Sequence, residues 1–311
     1  MKLGQLEAEV KSRKGFWMNI KLPRKLRQAL LSIKDIFRLI IYSVFPRLED
    51  IRKRRGWRRH YDRIFGEVQD DFLTFMNWGY APLDKQQEVL HLEPEDEPWR
   101  SSIQLYHHLT SQVDLRGLKV LEVGCGRGGG CNFIRRYSKP SQMIGVDLMK
   151  ANIEFCSNKY AIDGLSFRQA DAEALPFYDG SIDVVVNIES SHCYPDLDRF
   201  YREVARVLRI GGFFLYADFG SEWEMAKLKH ILNNHYELSL IRTQDITANV
   251  VEALRNCSAQ KKKMLLKEFQ DDKQIQFFSD LARLEGSWGF NRFRDRMEVY
   301  FSFLLQRVNL G

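Results

Sequence analysis

Five short apolar runs in the middle of the chain have the length and composition of buried strands. They lie at residues 118–123, 143–146, 165–169, 182–187 and 213–217, and a turn at Gly211-Gly212 precedes the last one. The segments between them have the pattern of helices, at residues 129–137, 150–159 and 197–208. Because strands that alternate with helices pair in parallel, this pattern predicts an α/β domain with a doubly wound sheet. Such sheets bind ligands beyond the carboxyl ends of their strands.

The pattern changes on both sides of this alternation. Upstream, residues 67–76 and 98–112 are predicted to be helical. Downstream, residues 235–241 and 297–305 have the pattern of strands, and the charge-rich stretch 245–285 between them is predicted to form helices. The sequence therefore predicts two further strands separated by a helical insertion.

The first 60 residues differ from the rest of the chain in charge. They hold 17 Lys and Arg and 5 Asp and Glu, a net charge of +12, so the other 251 residues carry −6 of the formal total of +6. Residues 26–44 place their apolar side chains on one face of a helix, and a polybasic run follows at 52–55. This combination is typical of peripheral membrane anchors, because each basic side chain near an anionic surface contributes about 1 kcal/mol.

Two other interpretations of this basic segment stay open. The helix could dock on the protein's own body, or the segment could be a transit peptide, which its two early acidic residues disfavour. The charges of Lys34, Asp35 and Arg38 leave too short an apolar stretch to span a bilayer. We therefore predict a cytoplasmic protein, with membrane-surface contact through residues 20–60 as an alternative to docking on the body.

The cysteines argue against a disulfide framework and against a zinc site. Their number is odd and no CxxC pair occurs among Cys125, Cys131, Cys156, Cys193 and Cys257. Reduced thiols in a cytosolic protein are the favoured interpretation, and no bound metal is predicted.

A glycine-rich turn connects the first predicted strand to its helix. Gly124, Gly126 and Gly129 have the GxGxxG spacing of dinucleotide-binding turns, and Asp147 lies 23 residues after Gly124. Glycines let the backbone approach a ligand closely, and an acid at about this distance can bind a ribose. The motif alone does not separate NAD from S-adenosylmethionine (SAM).

Acids at the ends of the first three strands favour SAM. Glu122 would attract the ammonium group of an amino-acid-bearing cofactor and would repel a pyrophosphate. Asp147 is expected to bind the ribose, and Asp171-Ala172 to contact the adenine. The residues predicted to bind the cofactor are Glu122, Gly124, Cys125, Gly126, Asp147, Leu148, Asp171, Ala172 and Asn187.

The run 120–218 resembles the class I SAM-dependent methyltransferases. This resemblance implies the sheet order 3-2-1-4-5-7-6, with strand seven antiparallel and a helical cap inserted between strands six and seven. The implied organisation is a basic helical extension over 1–65 and a methyltransferase domain over 66–311, with the cap at about 243–290.

A closer resemblance, to the phthiotriolone and phenolphthiotriolone dimycocerosate methyltransferases, rests on several short motifs. They include Phe75–Tyr80, Asp96–Pro98 and Glu189–Pro195. This resemblance implies a lipid or polyketide hydroxyl as the methyl acceptor. The longer basic extension and the longer loop at 85–95 depart from that group.

A histidine and an aspartate are the candidate catalytic residues. His192 follows the fourth strand and Asp218 ends the fifth, so both are expected at the carboxyl edge of the sheet. The same spacing resembles that of antibiotic-tailoring sugar O-methyltransferases, which implies that His192 is a general base supported by Asp218. Two alternatives remain: His192 forms a hydrogen bond within its loop only, or Asp196 is its partner, although Asp196 is better placed to cap the next helix.

The acceptor is predicted to be a small molecule or a lipid, and not a nucleic acid. The chain has Asn187-Ile188-Glu189-Ser190 where amino-directed methyltransferases often carry [DNS]-P-P-[YFW], and its body is acidic. The favoured prediction is an O-methyltransferase that acts on an amphipathic hydroxyl. The alternatives are a C-methyltransferase on a sterol-like or prenyl lipid, an NAD-dependent oxidoreductase, and a SAM-binding module without catalysis.

Overall fold

A computed structural model describes residues 74–84, 90–234 and 237–309. The basic extension predicted over 1–65 and its membrane contact through 20–60 lie outside the described residues. Of the helix predicted over 67–76, only the last three residues are described, and they are not helical. In the described ranges, no helix is both long enough and apolar enough to cross a bilayer.

The described residues form one sheet of seven strands. Their bounds are β1 Lys119–Val123, β2 Gln142–Asp147, β3 Leu165–Gln169, β4 Ile182–Ile188, β5 Leu208–Gly220, β6 Leu238–Asp245 and β7 Val299–Arg307. The strand order is β3-β2-β1-β4-β5-β7-β6. The first five strands pair in parallel, and β7 lies antiparallel between β5 and β6. The predicted fold class, strand order and antiparallel seventh strand are confirmed.

Eight α-helices surround the sheet in the part of the chain that is described. They are α1 Arg100–Thr110, α2 Gly129–Phe133, α3 Lys150–Lys159, α4 Leu197–Val207, α5 Glu222–Asn233, α6 Thr247–Glu268, α7 Asp272–Leu281 and α8 Trp288–Arg294. A single π-helical turn, Ile134–Ser138, extends α2, and a short 3-10 turn, Ser191–Cys193, follows β4. Helices α6, α7 and α8 lie between β6 and β7, where the cap was predicted.

Two strands are longer than predicted. In β5, Leu208 pairs with Ile182 and Phe213 pairs with Val184, so the predicted turn at Gly211-Gly212 is an out-of-register segment inside the strand. In β6, pairing with β7 continues through residues 242–245, whose side chains are exposed and polar. The apolar pattern stops before the strand does, because backbone pairing with a neighbour does not require apolar side chains.

The central strands are buried on both faces, which fixes the edge where they end. Val120 of β1 and Val184 of β4 pack in the core on the α1 side, and Leu121 and Val185 pack in the core on the α4 side. Burial of each such side chain contributes about 1.5–3 kcal/mol. The carboxyl ends of β1, β2, β4 and β5 are therefore held in fixed positions relative to one another.

Candidate active site

A cavity of about 320 Å³ opens at the carboxyl edge of the sheet. One part of its wall, which we call the loop half, comes from the glycine turn and the ends of β2 and β3, and includes Gly124, Cys125, Gly126, Asp147, Leu148, Asp171 and Ala172. The other part, the cap half, consists of Trp78, Glu189, His192, Cys193, Phe219, Lys261, Met264, Phe278, Leu281 and Ala282. Eight of the eleven predicted site residues thus lie in the wall of one cavity: the seven of the loop half, and His192 in the cap half.

The glycine turn of the loop half is closed onto β2 by its backbone. The N–H groups of Gly124 and Cys125 donate to the carbonyl of Val146, at 2.8 and 3.0 Å. Gly124 has a φ of +75°, and a Cβ there would overlap the Ser190 hydroxyl. Glycine is required at this position both by the left-handed backbone and by the close approach of the loop that follows β4.

Asp147, at the end of β2, is fixed by donors from both sides. Its Oδ2 accepts the N–H of Gly126 at 2.9 Å, and its Oδ1 accepts the N–H of Met149 at 2.8 Å and the amide of Asn152 at 3.2 Å. Burial raises the pKa of Asp147, and these hydrogen bonds oppose the shift. The carboxylate therefore has one defined orientation in the wall, beside the 47% exposed Leu148.

Glu122 does not lie in the cavity wall. Its side chain is 1% exposed and accepts the Tyr106 hydroxyl at 2.6 Å and the Cys131 thiol at 2.8 Å. Burial raises the pKa of Glu122 to about 7. The cause is strand alternation: Glu122 shares the face of Val120, which packs on the α1 side. The structure places the Tyr106 ring, and not the Glu122 carboxylate, in the wall.

Asn187 is also buried behind the wall. It is fully buried, and its amide nitrogen lies 2.8 Å from the carbonyl of Val123, 2.7 Å from the Ser190 hydroxyl and 3.1 Å from the Tyr194 hydroxyl. Asn187 therefore connects the ends of β1 and β4 and holds the loop that follows β4. The structure does not bring it into the group of wall residues.

His192 and Asp218 are brought together at the floor of the cap half. The Nδ1 of His192 lies 2.8 Å from Oδ1 of Asp218, and the side chains are 25% and 2% exposed. Asp218 also accepts the Ser191 hydroxyl at 2.5 Å and the backbone N–H groups of His192 and Phe219 at 3.0 and 2.9 Å. These contacts orient the carboxylate, and the carboxylate orients the imidazole.

The charge of Asp218 determines the direction in which the pKa of His192 is shifted. Burial by itself lowers the pKa of His192, but the charge and hydrogen bond of Asp218 outweigh it and raise that pKa well above 6.5. Burial raises the pKa of Asp218, and the His192 cation and the donated hydrogen bonds bring it below its ordinary value. The proton is therefore held on the imidazole and the charge on the carboxylate. Asp196, the other candidate partner, accepts the N–H of Arg199 at 3.0 Å and caps α4, as predicted.

Glu189, whose role the sequence does not specify, is a further polar residue of the cap half. It has a φ of +48°, which is rare for a residue with a side chain. Its Oε1 accepts the backbone N–H of Trp78 and the hydroxyl of Tyr300, both at 2.9 Å. Burial raises the pKa of Glu189 to about 7.

The remainder of the cap half is mostly apolar and comes from distant parts of the chain. The rings of Trp78 and Phe219 meet edge to face with centroids 4.3 Å apart, and the His192 ring lies 4.7 Å from Phe219. Helices α6 and α7 add Met264 and Phe278 among others. Sequence analysis did not identify these cap residues, because their helices carry no motif; Trp78 occurs in a recognised motif without an assigned role.

Among residues 74–84, 90–234 and 237–309, no three His, Cys, Asp or Glu side chains are arranged so that they could hold a metal ion. No disulfide bond joins the cysteines of the same ranges. The ionisable side chains of the wall include those of Arg127, Asp147, Asp171, Glu173, Glu189, His192 and Lys261.

A family model described as a methyltransferase domain matches residues 121–216. This segment runs from β1 into β5 and contains the glycine turn, Asp147, Asp171 and His192.

Curated relatives are similar over a longer stretch. A phthiotriol/phenolphthiotriol dimycocerosates methyltransferase of Mycobacterium tuberculosis is 46% identical over 176 residues, which are 56% of this chain and 63% of that protein. The chain thus spans less than two thirds of that relative's length. A fatty-acid O-methyltransferase of Mycolicibacterium smegmatis is 46% identical over 195 residues, which are 58% of this chain and 70% of that protein.

A solved structure shares the fold at low sequence identity. Geranyl diphosphate C-methyltransferase from Streptomyces coelicolor A3(2) superposes with a TM-score of 0.55 at 19% identity, over 79% of this chain and 96% of that one.

Proposed function

This chain belongs to the SAM-dependent methyltransferase family of its curated relatives, and we propose that it transfers a methyl group to a hydroxyl oxygen of a lipid-like or polyketide-like acceptor. The observation that carries the proposal is that His192, in the wall of a mostly apolar cap half, lies 2.8 Å from the buried Asp218. The relatives are named as methyltransferases of dimycocerosates and of fatty acids, and these names support a lipid-like acceptor.

The loop half fits the cofactor of this family. SAM supplies, when bound, an electrophilic methyl group on a sulfonium. Gly124 lets the loop that follows β4 pack closely on the glycine turn, which shapes the site on that side. The fixed Asp147 carboxylate can accept ribose hydroxyls, and the exposed Leu148 gives an apolar surface to a base. Cys125, Gly126, Asp171 and Ala172 complete this half.

Glu122 and Asn187 support the cofactor site from behind in this proposal. Glu122 fixes the hydroxyl of Tyr106, whose ring lies in the wall, and Asn187 fixes the loop that follows β4. Their contribution is therefore to the shape of the site.

His192 acts as the general base. In the neutral imidazole the Nδ1–H group donates to Asp218, and Nε2 is the nitrogen that takes the proton from a hydroxyl in the cap half. The Asp218 carboxylate stabilises the imidazolium that results. A base positioned in this way contributes about 10²–10⁴-fold to the rate.

The cap half supplies the surface for an apolar acceptor. Trp78, Phe219, Met264 and Phe278 present rings and a thioether to it. Apolar walls with a few placed polar groups are the usual environment for a ligand that is largely hydrocarbon. An acceptor that carries one hydroxyl toward His192 and hydrocarbon toward the cap matches this distribution.

A second candidate function is C-methylation of a prenyl or sterol-like lipid. The observation that favours it is the pair of rings, Trp78 and Phe219, beside His192, because aromatic faces stabilise a carbocation. In that reaction the methyl group is transferred to a carbon, and no hydroxyl proton has to be removed.

Calorimetric titration with S-adenosylhomocysteine and NADH, followed by methyl transfer from labelled SAM to long-chain alcohols, tests the proposal. We expect micromolar binding of S-adenosylhomocysteine alone, and a fall in turnover of about 10²–10⁴-fold in His192→Ala with that binding unchanged. His230→Ala, which removes an exposed imidazole on α5, is the matched control. Full turnover of the alcohols in His192→Ala would overturn the assignment of His192 as the base, and binding of NADH alone would overturn the assignment of the cofactor.

A further inference from the structure

Glu189 occupies an unusual position at the end of β4. Its φ of +48° lies in the left-handed region, where a side chain costs free energy, so the surrounding structure has to hold it there. The residue follows Ile188 directly, and its N–H donates to the carbonyl of Ala217 on β5 at 2.9 Å. The strained backbone turns the side chain out of the strand pattern and into the wall of the cap half.

The two carboxylate oxygens of Glu189 are used differently. Both the Trp78 N–H and the Tyr300 hydroxyl donate to Oε1. Within the described ranges Oε2 accepts no hydrogen bond. The side chain is partly accessible, and its accessible part faces the cavity. One oxygen is therefore anchored to the protein, and the other is available to a ligand.

An anchoring role alone does not explain a carboxylate here. A neutral amide, as in glutamine, has one oxygen that could accept both the Trp78 N–H and the Tyr300 hydroxyl. The charges of His192 and Arg283 favour the ionised form of Glu189, and a donor to each of its oxygens stabilises that form further. We infer that the donor to Oε2 of Glu189 is a group of the bound acceptor.

We propose that Glu189 is a specificity-determining residue whose Oε2 accepts a hydrogen bond from a second hydroxyl of the acceptor, so that the enzyme prefers diols to single alcohols. This inference rests on the proposed function, in which the first hydroxyl faces His192. Glu189 and His192 are three residues apart on the same loop and both lie in the cap half, so the two hydroxyls would be neighbours on the acceptor chain.

The test compares three sixteen-carbon acceptors: a 1,2-diol, a 1,3-diol and the matching alcohol with one hydroxyl. Binding of each to protein saturated with S-adenosylhomocysteine is measured by calorimetry, and methylation of each is measured as kcat/KM with SAM. We expect the full-length protein to prefer one diol by at least roughly tenfold, because a site built to accept a hydrogen bond discriminates against a ligand that lacks the donor.

Glu189→Gln should remove this preference, so that kcat/KM falls by a larger factor for the preferred diol than for the single alcohol. The oxygen of the new amide can keep both contacts of Oε1, so the fold should be retained, which the melting temperature checks. Tyr300→Phe removes one bond to Oε1 and leaves Oε2, so the diol preference should persist in it. Glu154→Gln, on the surface of α3, is the control for loss of one negative charge.

If the unmodified protein bound diol and alcohol equally, this inference would be overturned and the proposed function would not. An equal loss for diol and alcohol in Glu189→Gln would do the same, because it would show that Glu189 only anchors Trp78 and Tyr300. Binding of S-adenosylhomocysteine without binding of any of the three alcohols would overturn the proposed function together with the inference.

Discussion

The loop half and the cap half of the cavity are held together by different interactions. In the loop half, backbone groups dominate: two N–H groups of the glycine turn donate to Val146, and Asp147 accepts two more N–H groups. In the cap half, side chains from distant segments pack on one another. The guanidinium of Arg283 lies 4.0 Å from the centre of the Trp78 ring and pairs with Glu298 at 2.6 Å.

This difference predicts how each half responds to change. Backbone geometry leaves little room for adjustment, because one added carbon at Gly124 would overlap Ser190. Packed side chains can shift and refill space, so that a single substitution among them has a smaller effect. Substitutions in the loop half should therefore affect cofactor binding sharply. Substitutions in the cap half should affect turnover strongly at the His–Asp pair and acceptor binding gradually elsewhere.

The largest effect is expected for Asp218→Asn. This variant should lower turnover, which depends on the cap half, without changing cofactor binding, which depends on the loop half. An amide cannot stabilise the imidazolium of His192, so kcat should fall by about 10²–10⁴-fold. The affinity for S-adenosylhomocysteine should stay the same, because Asp218 is not part of the loop half. Asp198→Asn, on the exposed face of α4, is the control. A loss smaller than roughly tenfold would show that the pair does not act as base and support.

Gly124→Ala should have the next largest effect, confined to the loop half. The left-handed backbone costs about 1–2 kcal/mol with a side chain, and the new Cβ would in addition overlap the Ser190 hydroxyl and lie 2.8 Å from the Tyr194 hydroxyl. We expect S-adenosylhomocysteine to bind roughly 10- to 100-fold more weakly, which calorimetry measures.

Gly117→Ala provides the matched control for this variant. Gly117 has a φ of +76°, almost the same as that of Gly124, and a Cβ there meets nothing within 4 Å. It carries the backbone cost without the overlap, so it should lower the melting temperature and leave binding intact. Equal loss of binding in both variants would mean that general destabilisation is responsible, and not the shape of the turn.

The pH dependence of kcat/KM tests the charge state of the cap half. Asp218 raises the pKa of His192 above its ordinary value, and only the neutral imidazole can act as base. The rate should therefore increase with pH, about tenfold per unit, until the pH passes that raised pKa. The same shift stabilises the folded protein fully below pH 6.5, and this contribution is lost as the pH rises through the raised pKa.

Asp218→Asn should move this rise in kcat/KM toward lower pH, because the charge that holds the proton on His192 is gone. The residual activity of the variant would be measured across the same range of pH. A profile that is flat between pH 6 and 9 in the unmodified protein would contradict the assignment of His192 as the base.

The loop half was more predictable from the sequence than the cap half for the same structural reason. The glycine turn and Asp147 lie close together in the chain at the ends of adjacent strands, so a local motif specifies them. Glu122 shows the limit of this reasoning, since its alternation with Val120 points it to the core and away from the cavity. The alternation of apolar residues along β1 indicates the direction of the Glu122 side chain, whereas the glycine motif indicates only that an acid precedes the turn.

The residues of the cap half could not be predicted in the same way. Lys261 and Met264 lie on α6, a long charged helix without a motif, and they reach the cavity only because α6 and α7 fold back over the sheet edge. Positions fixed by packing between distant segments leave no local signal. His192 lies shortly after the end of β4 and Asp218 lies near the end of β5, so the parallel topology brings both residues to the carboxyl edge of the sheet.

The smallest effect is expected for Met264→Ala, which tests whether the cap half adjusts gradually. The side chain lies in the wall, and its removal takes apolar contact away from the acceptor. Since burial of a whole Met side chain contributes about 1.5–3 kcal/mol and part of the space will refill, KM for a long-chain alcohol should rise roughly 3- to 10-fold. The affinity for S-adenosylhomocysteine should not change. Met297→Ala, at a methionine that is 58% exposed, is the matched control. If Met264→Ala instead weakened the binding of S-adenosylhomocysteine as much as the binding of the alcohol, the two halves would be coupled through α6. They would then not respond independently to substitution.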